Sequence, residues 1–587
     1  GTLTHELPAT PETDVRGEPP RIGVFVCHCG INIGSIVNVP AVVEYARTLP
    51  FVVYAEENLY SCSGDTQEKL KERIREHRLN RVVVASCSPR THEPLFQATL
   101  AEAGLNPQLL AMANIRDQCS WVHMKEPEKA TAKSKDLVRM AVARATRLRP
   151  LPKVRLPVRK SGLIIGGGIA GLSAALALAD AGFEATVVER EPELGGIART
   201  LYRSIEGADI QARLKELVAR VTNNPGIRVL TSARIQQIDG FVGSYRTTIR
   251  TSDASNKSDS SDLMVEHGIF IVATGAQYRT PAEYHYGESD RVISQQQLED
   301  ILQSARNRRS KTTAIKSVVM IQCVGSRDRE RPWCSRICCA ETVKNALALK
   351  ELNPDADVYV LYRDIRTYGL REEYYRKARE QGVVFIRYSA DAPPAVEVRP
   401  ELSVTTRDPI LGRDIRLAPD LLVLSSGVVP QSDSGELARM LKVPLNADGF
   451  FLEAHMKLRP VDFATEGVFM AGLCHFPKFI DESIAQARAA AGRAATILSR
   501  NELEAEATVA HVNPDRCSAC RMCEALCAYR AIEVRVADER TNREAAVVNE
   551  ALCKGCGACA ANCRSVAIDI RGFSAENITR EIKALLD

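Results

Sequence analysis

The sequence predicts an α/β protein of several domains, and three observations support this. The chain has 587 residues, several times the length of a typical domain. Short apolar runs alternate with helical patterns along most of it, as in α/β folds. A glycine-rich turn joins an apolar strand to a helix within residues 163–179, and most of the 18 cysteines fall into clusters. With 45% apolar and 26% charged residues, the composition excludes a wholly disordered or fibrous chain.

Net charge and cysteine usage narrow the classes of function. A net charge of +4, from 77 basic and 73 acidic residues, indicates no general affinity for nucleic acid or for an anionic membrane. The apolar stretch Leu163–Ala179 is interrupted by glycines and ends at Asp180, so we expect no transmembrane segment there. No signal-peptide pattern is expected either. Clustered cysteines therefore predict metal binding in a reducing compartment, the cytoplasm, rather than disulfides.

Composition and periodicity divide the chain into seven segments. Residues 1–20 are rich in Pro, Thr and Glu, and a basic helical pattern precedes Pro150. Within the largest segment, Thr251–Asp262 is expected to form a polar loop. The predicted segments are a flexible tail (1–20), an N-terminal α/β domain (21–126), a linker helix (127–159), a dinucleotide-binding domain (160–500), a linker (501–512), a cysteine-rich α+β domain (513–572) and a C-terminal helix (573–587).

The C-terminal domain contains the spacing C-x2-C-x2-C-x3-C twice, which is typical of bacterial ferredoxins. In this pattern three cysteines of one run and the last cysteine of the other bind each [4Fe–4S] cluster. Pro usually follows the last cysteine, whereas Ala528 and Arg564 stand here. Two zinc sites are the alternative, although these prefer paired CxxC units separated by longer loops. The predicted ligand sets are Cys517, Cys520, Cys523 and Cys563 for one cluster, and Cys553, Cys556, Cys559 and Cys527 for the other.

The glycine-rich turn has the form G-x-G-x-x-G and predicts a dinucleotide site. Glu189 ends the next strand, where an acidic residue binds a ribose hydroxyl. Phe270–Gly275 (FIVATG) and Gly467–Gly472 (GVFMAG) resemble segments of flavoproteins with two dinucleotide domains, so FAD is expected. A nucleotide fold without its ligand is the alternative. The expected FAD-binding residues are Gly166, Gly168, Ile169, Ala170, Gly171, Glu189, Arg190, Gly195, Gly196, Ala273, Thr274, Gly275 and Gly472.

A second glycine motif is missing where flavoproteins of the thioredoxin-reductase shape bind NAD(P)H. The strand Ser317–Ile321 runs instead into Gln322–Ser326 (QCVGS). Four cysteines within 17 residues follow, enough to bind one non-standard [4Fe–4S] cluster. A redox thiol pair or buried structural cysteines are the alternatives. We therefore expect the flavin to exchange electrons with clusters and not to take hydride from NAD(P)H. The four cysteines are Cys323, Cys334, Cys338 and Cys339.

Five stretches of the sequence are far more specific than a glycine motif: Arg21–Gly30 (RIGVFVCHCG), Ala85–Leu95 (ASCSPRTHEPL), Met112–His123 (MANIRDQCSWVH), Gln322–Asp328 (QCVGSRD) and Cys334–Cys339 (CSRICC). With them the chain, from about residue 21 to residue 570, resembles the family of A-type heterodisulfide reductase subunits, which carry the flavin and iron–sulfur clusters of electron-bifurcating complexes. The family implies a thioredoxin-reductase-like, two-dinucleotide-domain core with FAD, an N-terminal α/β iron–sulfur domain and a C-terminal ferredoxin-like domain. Many methanogen members carry an inserted ferredoxin domain that is missing here, so this short form is expected to hold four clusters.

The resemblance also implies an N-terminal cluster and a lysine beside the flavin. Lys344 resembles the family lysine near the flavin N5, where a cation stabilises the anionic reduced ring. A solvated helix lysine is the alternative. Cys474 stands one residue away from the cysteine of relatives and receives no role. Five cysteines compete for the four N-terminal ligand positions, and the choice between Cys27 and Cys29 is open. The favoured set is Cys27, Cys62, Cys87 and Cys119.

The expected activity is the splitting of electron pairs at FAD between a high-potential and a low-potential acceptor. The first acceptor would be a partner subunit that reduces disulfides, and the second a ferredoxin. Expected partners are B- and C-type heterodisulfide reductase subunits, an electron-input subunit (hydrogenase, formate dehydrogenase or NADH-oxidising) and a second copy of the chain. The alternatives are a non-bifurcating relay in a quinone-interacting or other heterodisulfide-reductase-like complex, an NAD(P)H-dependent flavoprotein like the small subunit of glutamate synthase, and a non-catalytic scaffold.

Overall fold

The chain forms two compact units, which a computed structural model describes over residues 10–152, 154–253, 256–307, 315–505, 507–538 and 540–586. The first unit combines the N-terminal part up to Arg155 with the C-terminal part from Glu504. The second unit spans Leu156–Leu503. Among the described residues, no helix combines the length and apolar composition that a membrane span needs.

The N-terminal part of the first unit is a four-stranded parallel sheet in the order β2-β1-β3-β4. Every residue of the central strands β1 and β3 is buried, as expected for a parallel sheet covered on both faces. The strands are β1 (Ile22–Cys27), β2 (Val52–Asn58), β3 (Arg81–Ser86) and β4 (Leu110–Asn114). The helices are α1 (Val39–Arg47), α2 (Gly64–Glu76), α3 (Pro89–Glu102) and α4 (Pro127–Ala145).

Two segments that were predicted to lie outside this domain pack into it. Residues 10–20 are held in place, because the Thr13 backbone N–H donates to Gly104 O at 2.8 Å and Val15 is buried. Of the predicted tail, this described part is thus in contact with the domain, and residues 1–9 lie outside the described part. Helix α4 is not a free linker, since Ala130 and Val138 lie fully buried in the same core as the sheet. From the sequence, the apolar stripe of α4 predicted only a helix. In the structure the same stripe also covers one face of the sheet.

The second unit contains a five-stranded parallel sheet in the order β23-β12-β6-β7-β8. This sheet contains the strand of the predicted strand–turn–helix motif. The helix of that motif, α5, buries small residues against α11, the last helix of the unit. The strands are β6 (Ser161–Ile165), β7 (Glu184–Val188), β8 (Ile227–Leu230), β12 (Ile269–Val272) and β23 (Val468–Met470). The helices are α5 (Ile169–Asp180), α6 (Ile210–Thr222), α10 (Ser434–Leu441) and α11 (Ile480–Leu498).

A second five-stranded parallel sheet in the same unit has the order β14-β21-β15-β16-β17. Two such sheets confirm the predicted α/β core with two dinucleotide-type domains. The strands are β14 (Val292–Ser294), β15 (Ser317–Val324), β16 (Asp357–Tyr362), β17 (Val384–Arg387) and β21 (Leu421–Ser426). The helices are α7 (Gln295–Asn307), α8 (Cys338–Leu352) and α9 (Glu372–Glu380).

Smaller antiparallel elements complete the second unit, and one of them corrects a prediction. The described residues of Thr251–Asp262 are not a loop, because Thr251 pairs with Ser261 and Ser252 with Ser260 in a pair of strands; residues 254 and 255 of the predicted loop lie outside the described part. The polar composition indicated a loop, but polar residues also suit strands that face solvent. The remaining strands of this unit are β9 (Ala233–Phe241), β10 (Ser244–Asp253), β11 (Asn256–His267), β13 (Ala276–Tyr278), β18 (Ala395–Glu397), β19 (Ser403–Asp408), β20 (Arg413–Leu417) and β22 (Val428–Pro430). Two short strands, β5 (Val154–Pro157) and β24 (Glu502–Ala505), include the points where the chain enters and leaves the unit.

The C-terminal part of the first unit is a small α+β domain with two antiparallel strand pairs. Its last helix, α14, packs along α4, where Arg139 Nε donates to Ala584 O at 2.6 Å. The guanidinium of Arg144 stacks 4.0 Å from the ring of Phe573. The elements are β25 (Ala510–Val512), β26 (Ile532–Asp538), β27 (Arg543–Val548), β28 (Ile568–Ile570), α12 (Met522–Leu526), α13 (Ala558–Ala561) and α14 (Ala575–Leu586).

Candidate functional site

The glycine turn between β6 and α5 needs each of its three motif glycines for a different reason. Gly166 has φ 111°, and a Cβ there would lie 2.4 Å from Ala273 O. A Cβ on Gly171 would lie 1.9 Å from Gly166 O, so this glycine lets the helix approach the strand. A Cβ on Gly168 would meet no atom within 4 Å. Gly168 therefore faces open space at the N-terminus of α5, where a pyrophosphate binds in dinucleotide folds.

The acidic residue that the motif requires lies beside this turn. Glu189 Oε2 accepts a hydrogen bond from the Gly167 N–H at 2.6 Å, and its Oε1 accepts one from the Glu191 N–H at 2.8 Å. The neighbouring Arg190 is held by Asp433 at 2.9 Å and by Gln431 at 2.8 Å. These bonds fix the Glu189 carboxylate at the rim of the turn, as expected for a group that binds ribose.

A cavity of about 1190 Å³ extends from the glycine turn through the second unit. All of the predicted FAD-binding residues line it except Gly171, whose role is packing. Thr274 Oγ1 is buried on its wall and has no hydrogen-bond partner among the described residues. The open glycine, the carboxylate and this orphaned hydroxyl fit a dinucleotide cofactor such as FAD.

Lys344 lines the same cavity from helix α8, and its side chain is only 13% exposed. It is therefore not a solvated surface lysine. Its Nζ lies 2.6 Å from Glu299 Oε2, and Glu299 Oε1 also accepts from the Tyr202 N–H at 2.8 Å. The neighbouring Glu341 also faces the cavity, and burial raises the pKa of its carboxyl to about 7. Glu299 and Glu341 carry no sequence motif that would have marked them.

The four cysteines of this segment, Cys323 near the end of β15, Cys334 in the loop, and Cys338 and Cys339 in α8, converge at the N-terminus of α8. Electrostatic interactions link the Cys338 thiol to Cys339, Cys323 and Cys334. The Cys338 thiol donates a hydrogen bond to Cys339, which lowers the pKa of Cys339 to about 7 and raises that of Cys338. A thiolate is the form that binds metal. The donor set therefore fits one iron–sulfur cluster. Ile337 and Ala340, which flank Cys338 and Cys339 in sequence, line the cavity.

The two C-terminal cysteine runs share a pattern of N–H···S hydrogen bonds. The Ala546 N–H donates to Cys517 Sγ at 3.4 Å, and the Ala510 N–H donates to Cys553 Sγ at 3.3 Å. Cys517 and Cys553 are equivalent under the 36-residue repeat, and so are Ala510 and Ala546, but each of these cysteines accepts its bond from the alanine of the other half. The last cysteine of each run accepts such a bond from its own half: the Ala531 N–H donates to Cys527 at 3.3 Å and the Ala567 N–H to Cys563 at 3.2 Å. Such bonds tune the potential of a bound cluster.

In the N-terminal domain the structure favours a different set of four cysteines from the predicted one. Cys29 interacts electrostatically with Cys27 and Cys62, and Cys87 interacts with the same two thiols. Cys119 has none of these interactions. It is fully buried against α4, with its Sγ 3.0 Å from Ala130 O and 3.2 Å from the hydroxyl of Ser134. The structure thus groups Cys29 with Cys27, Cys62 and Cys87, whereas the Cys119 thiol packs against α4.

No group of three or more His, Cys, Asp or Glu side chains among the described residues has the geometry to hold a single metal ion. A four-iron cluster spreads its ligands further apart than one ion does, so the cysteine groups above remain the candidate sites. All 18 cysteines are free thiols. Cys474 lies buried behind the cavity wall, 3.2 Å from Ala471 O and 3.3 Å from Val272 O. Close by, Lys478 faces the cavity, and only its place in the same segment (AGLCHFPK) could have indicated it.

The chain is similar to several known proteins. A family model described as an NAD(P)-binding Rossmann-like domain matches residues 164–214. The chain is 38% identical to an A-type iron-sulfur subunit of CoB–CoM heterodisulfide reductase from Methanopyrus kandleri, across 88% of this chain and 92% of that protein. It is 37% identical to the A-type subunit of the H(2):CoB-CoM heterodisulfide,ferredoxin reductase of Methanothermobacter thermautotrophicus, across 89% and 92%. Thioredoxin reductase of Lactococcus lactis matches 58% of this chain and 99% of its own, with 17% identity and a TM-score of 0.40.

Proposed function

Because the chain belongs to the family of A-type heterodisulfide reductase subunits, which are oxidoreductases, we propose that it binds FAD and four [4Fe–4S] clusters and splits electron pairs between two acceptors. The high-potential acceptor would be a disulfide-reducing partner of the B and C type, and the low-potential acceptor a ferredoxin. The reductase names of the two relatives, one of which includes ferredoxin, support this assignment.

FAD, when bound, can take up electrons as a pair and release them singly, which neither the clusters nor the thiols can do. The chain's own part is to hold the cofactor and exclude water around it. The open backbone at Gly168 and the N-terminus of α5 would receive the pyrophosphate, and Glu189 would bind the ribose. The hydroxyl of Thr274 is a further donor for the cofactor.

Four cysteine groups would hold the clusters, each as thiolates. The two C-terminal clusters would be bound by the ligand sets that the repeat predicts, and the third by the four cysteines at the start of α8. For the N-terminal cluster we now propose Cys27, Cys29, Cys62 and Cys87. Eighteen free thiols suit a reducing compartment, so we place the protein in the cytoplasm.

One observation carries the proposal, the position of the cysteine group beside the cavity. Ile337 and Ala340 flank Cys338 and Cys339 in sequence and line the cavity wall. Electron transfer between a flavin in this cavity and a cluster on these cysteines would therefore need no large movement of the chain. Since a cluster accepts single electrons, such a neighbour would draw electrons from the flavin one at a time.

The decisive experiment uses the purified complex with its electron donor, ferredoxin and a disulfide acceptor. Splitting of electron pairs predicts that ferredoxin is reduced only while the disulfide is also being reduced, in equal electron amounts. Ferredoxin reduction without the disulfide would contradict the proposal. Disulfide or quinone reduction with no ferredoxin reduction would favour the second candidate, a non-bifurcating relay, which the missing inserted ferredoxin domain keeps open.

A further inference from the structure

We propose that Lys478 supplies a buried positive charge to the flavin ring and stabilises negative charge on it. This inference rests on FAD binding in the cavity, as proposed above, and not on where the electrons go afterwards. Of the two lysines that line the cavity, Lys344 is already paired with Glu299, whereas Lys478 has no such partner among the described residues.

The contacts of Lys478 fix its ammonium group at the cavity wall. The side chain is buried, and Nζ donates to Gly472 O at 2.8 Å and to Gln486 Oε1 at 2.7 Å. His475 Nδ1 lies 3.5 Å away. Gly472 has φ 81° and lines the cavity, so Lys478 holds a turn of the cavity wall that precedes α11. A substitution of Lys478 can therefore change both the charge and the shape of the cavity wall.

No carboxylate in the described part of the chain forms an ion pair with Lys478. The two acidic residues that act on it are engaged elsewhere: Glu453 pairs with His475 Nε2 at 2.8 Å, and Glu482 pairs with Arg336 at 3.0 Å. The remaining charged or titratable neighbours are Cys474 and Arg336 itself. The Lys478 ammonium also lies 3.9 Å from the centre of the Phe476 ring, whose face offers only a partial negative charge. A buried cation without a full counter-charge is costly, so an anion brought to it would be stabilised.

Two contacts relate this cation to its surroundings. Arg336, in the cysteine loop, donates from Nη1 to Pro477 O at 3.2 Å, which ties the loop to the residue before Lys478. On the other side Lys478 bonds to Gly472, where a Cβ would lie 2.8 Å from Ala170 of α5. Since the proposed electron exchange with the cysteine loop needs the ring end of the cofactor on that side, we expect Lys478 to face the ring. Burial lowers the pKa of Lys478 to about 7, and an anionic ring would raise it again by favouring the charged form.

Sulfite is a suitable probe, because it adds reversibly to an oxidised flavin ring and leaves a negative charge on it. In the flavin-loaded full chain, Lys478→Met is expected to weaken sulfite binding at least tenfold and to lower the two-electron potential of the flavin. A tenfold change in such an equilibrium corresponds to about 30 mV for a two-electron couple. Lys478→Arg should retain most of the affinity, and the exposed Lys457→Met should leave it unchanged.

Two outcomes would overturn the inference. The first is a Lys478→Met chain with full FAD content and unchanged sulfite affinity and potential, which would make Lys478 a packing residue. The second applies if Lys478→Met cannot retain FAD: Lys478→Arg would then have to keep the affinity, and a loss of tenfold or more with FAD bound would contradict a role for charge. Gln486→Leu removes a contact but no charge, so its effect should be smaller. A failure of ferredoxin reduction in the complex would refute only the proposed function.

Discussion

The two parallel sheets of the second unit show how one scaffold position can serve two chemistries. In the first sheet β6 leads through the glycine turn into α5, and in the second β15 leads through the cysteine loop into α8. A Cβ at Gly168 would meet no atom within 4 Å, whereas one at Gly325 would lie 2.3 Å from Nη1 of Arg279. Arg279 is held there by Glu283 at 2.8 Å. The first loop thus leaves room for a nucleotide, and the second is filled by a side chain and four thiols.

The difference shows that the loop decides the ligand, not the sheet. Both sheets supply a strand end and a helix N-terminus, which favour an anion. Only the first allows a phosphate to approach the backbone. In the second, Cys338 and Cys339 occupy the first turn of α8, so its partial positive charge would act on a cluster with thiolate ligands instead. Each half of this comparison can be tested separately.

The largest effect should come from removing a thiol at the second sheet. Cys339→Ser is expected to eliminate one cluster, because its three remaining cysteines cannot complete four ligands. Iron and sulfide analysis of the anaerobically purified chain should fall by about a quarter. The matched control is Cys474→Ser, a buried cysteine of the same unit, which should leave the iron content unchanged. Full iron in Cys339→Ser would show that this group holds no cluster.

A second test distinguishes two cysteines of the N-terminal domain. Cys29→Ser is expected to lose one cluster, whereas Cys119→Ser should keep it, since the Cys119 thiol bonds to Ala130 O and Ser134 instead of grouping with the other thiols. Replacing this buried sulfur with a smaller and more polar oxygen should cost about 1 kcal/mol of unfolding free energy in Cys119→Ser. Iron content and denaturant unfolding of both variants measure this. The reverse pattern of iron loss would restore the ligand set that the sequence alone favoured.

The first sheet can be tested by adding one methyl group. Gly168→Ala introduces no clash within the chain, yet its Cβ would occupy the space for the pyrophosphate. We expect FAD to bind at least tenfold more weakly, or about 1.4 kcal/mol, with an unchanged melting temperature for the flavin-free chain. Gly492→Ala, on α11 and also free of contacts, is the control. Wild-type affinity in Gly168→Ala would place the cofactor elsewhere in the cavity.

Sequence reasoning succeeded where chemistry fixes local spacing and did not where tertiary packing decides. The glycine motif and the two cysteine runs are local patterns, so their turns could be located from the sequence. The N-terminal cysteines come from separate loops, and the sequence did not show that Cys119 points back into the helical layer of α4. For the same reason the sequence did not show that α4 packs in the core of the N-terminal sheet. Lys478 was missed because most lysines are exposed, and the sequence does not show which lysine is buried.

The smallest expected effect is a null result at the second sheet. If Arg279 and the cysteine loop block the nucleotide position after β15, NADH and NADPH should not bleach the flavin of the anaerobic full chain, while dithionite should. Arg279→Ala removes the obstructing side chain but should not make the flavin reactive toward NADH or NADPH, because the glycines that let a phosphate approach the backbone are still missing. Rapid bleaching of the wild type by NADPH would contradict this, and would mean that a loop built on cysteines can also admit a nicotinamide nucleotide. Both sheets would then be able to bind a dinucleotide, and they would differ only in which dinucleotide each one prefers.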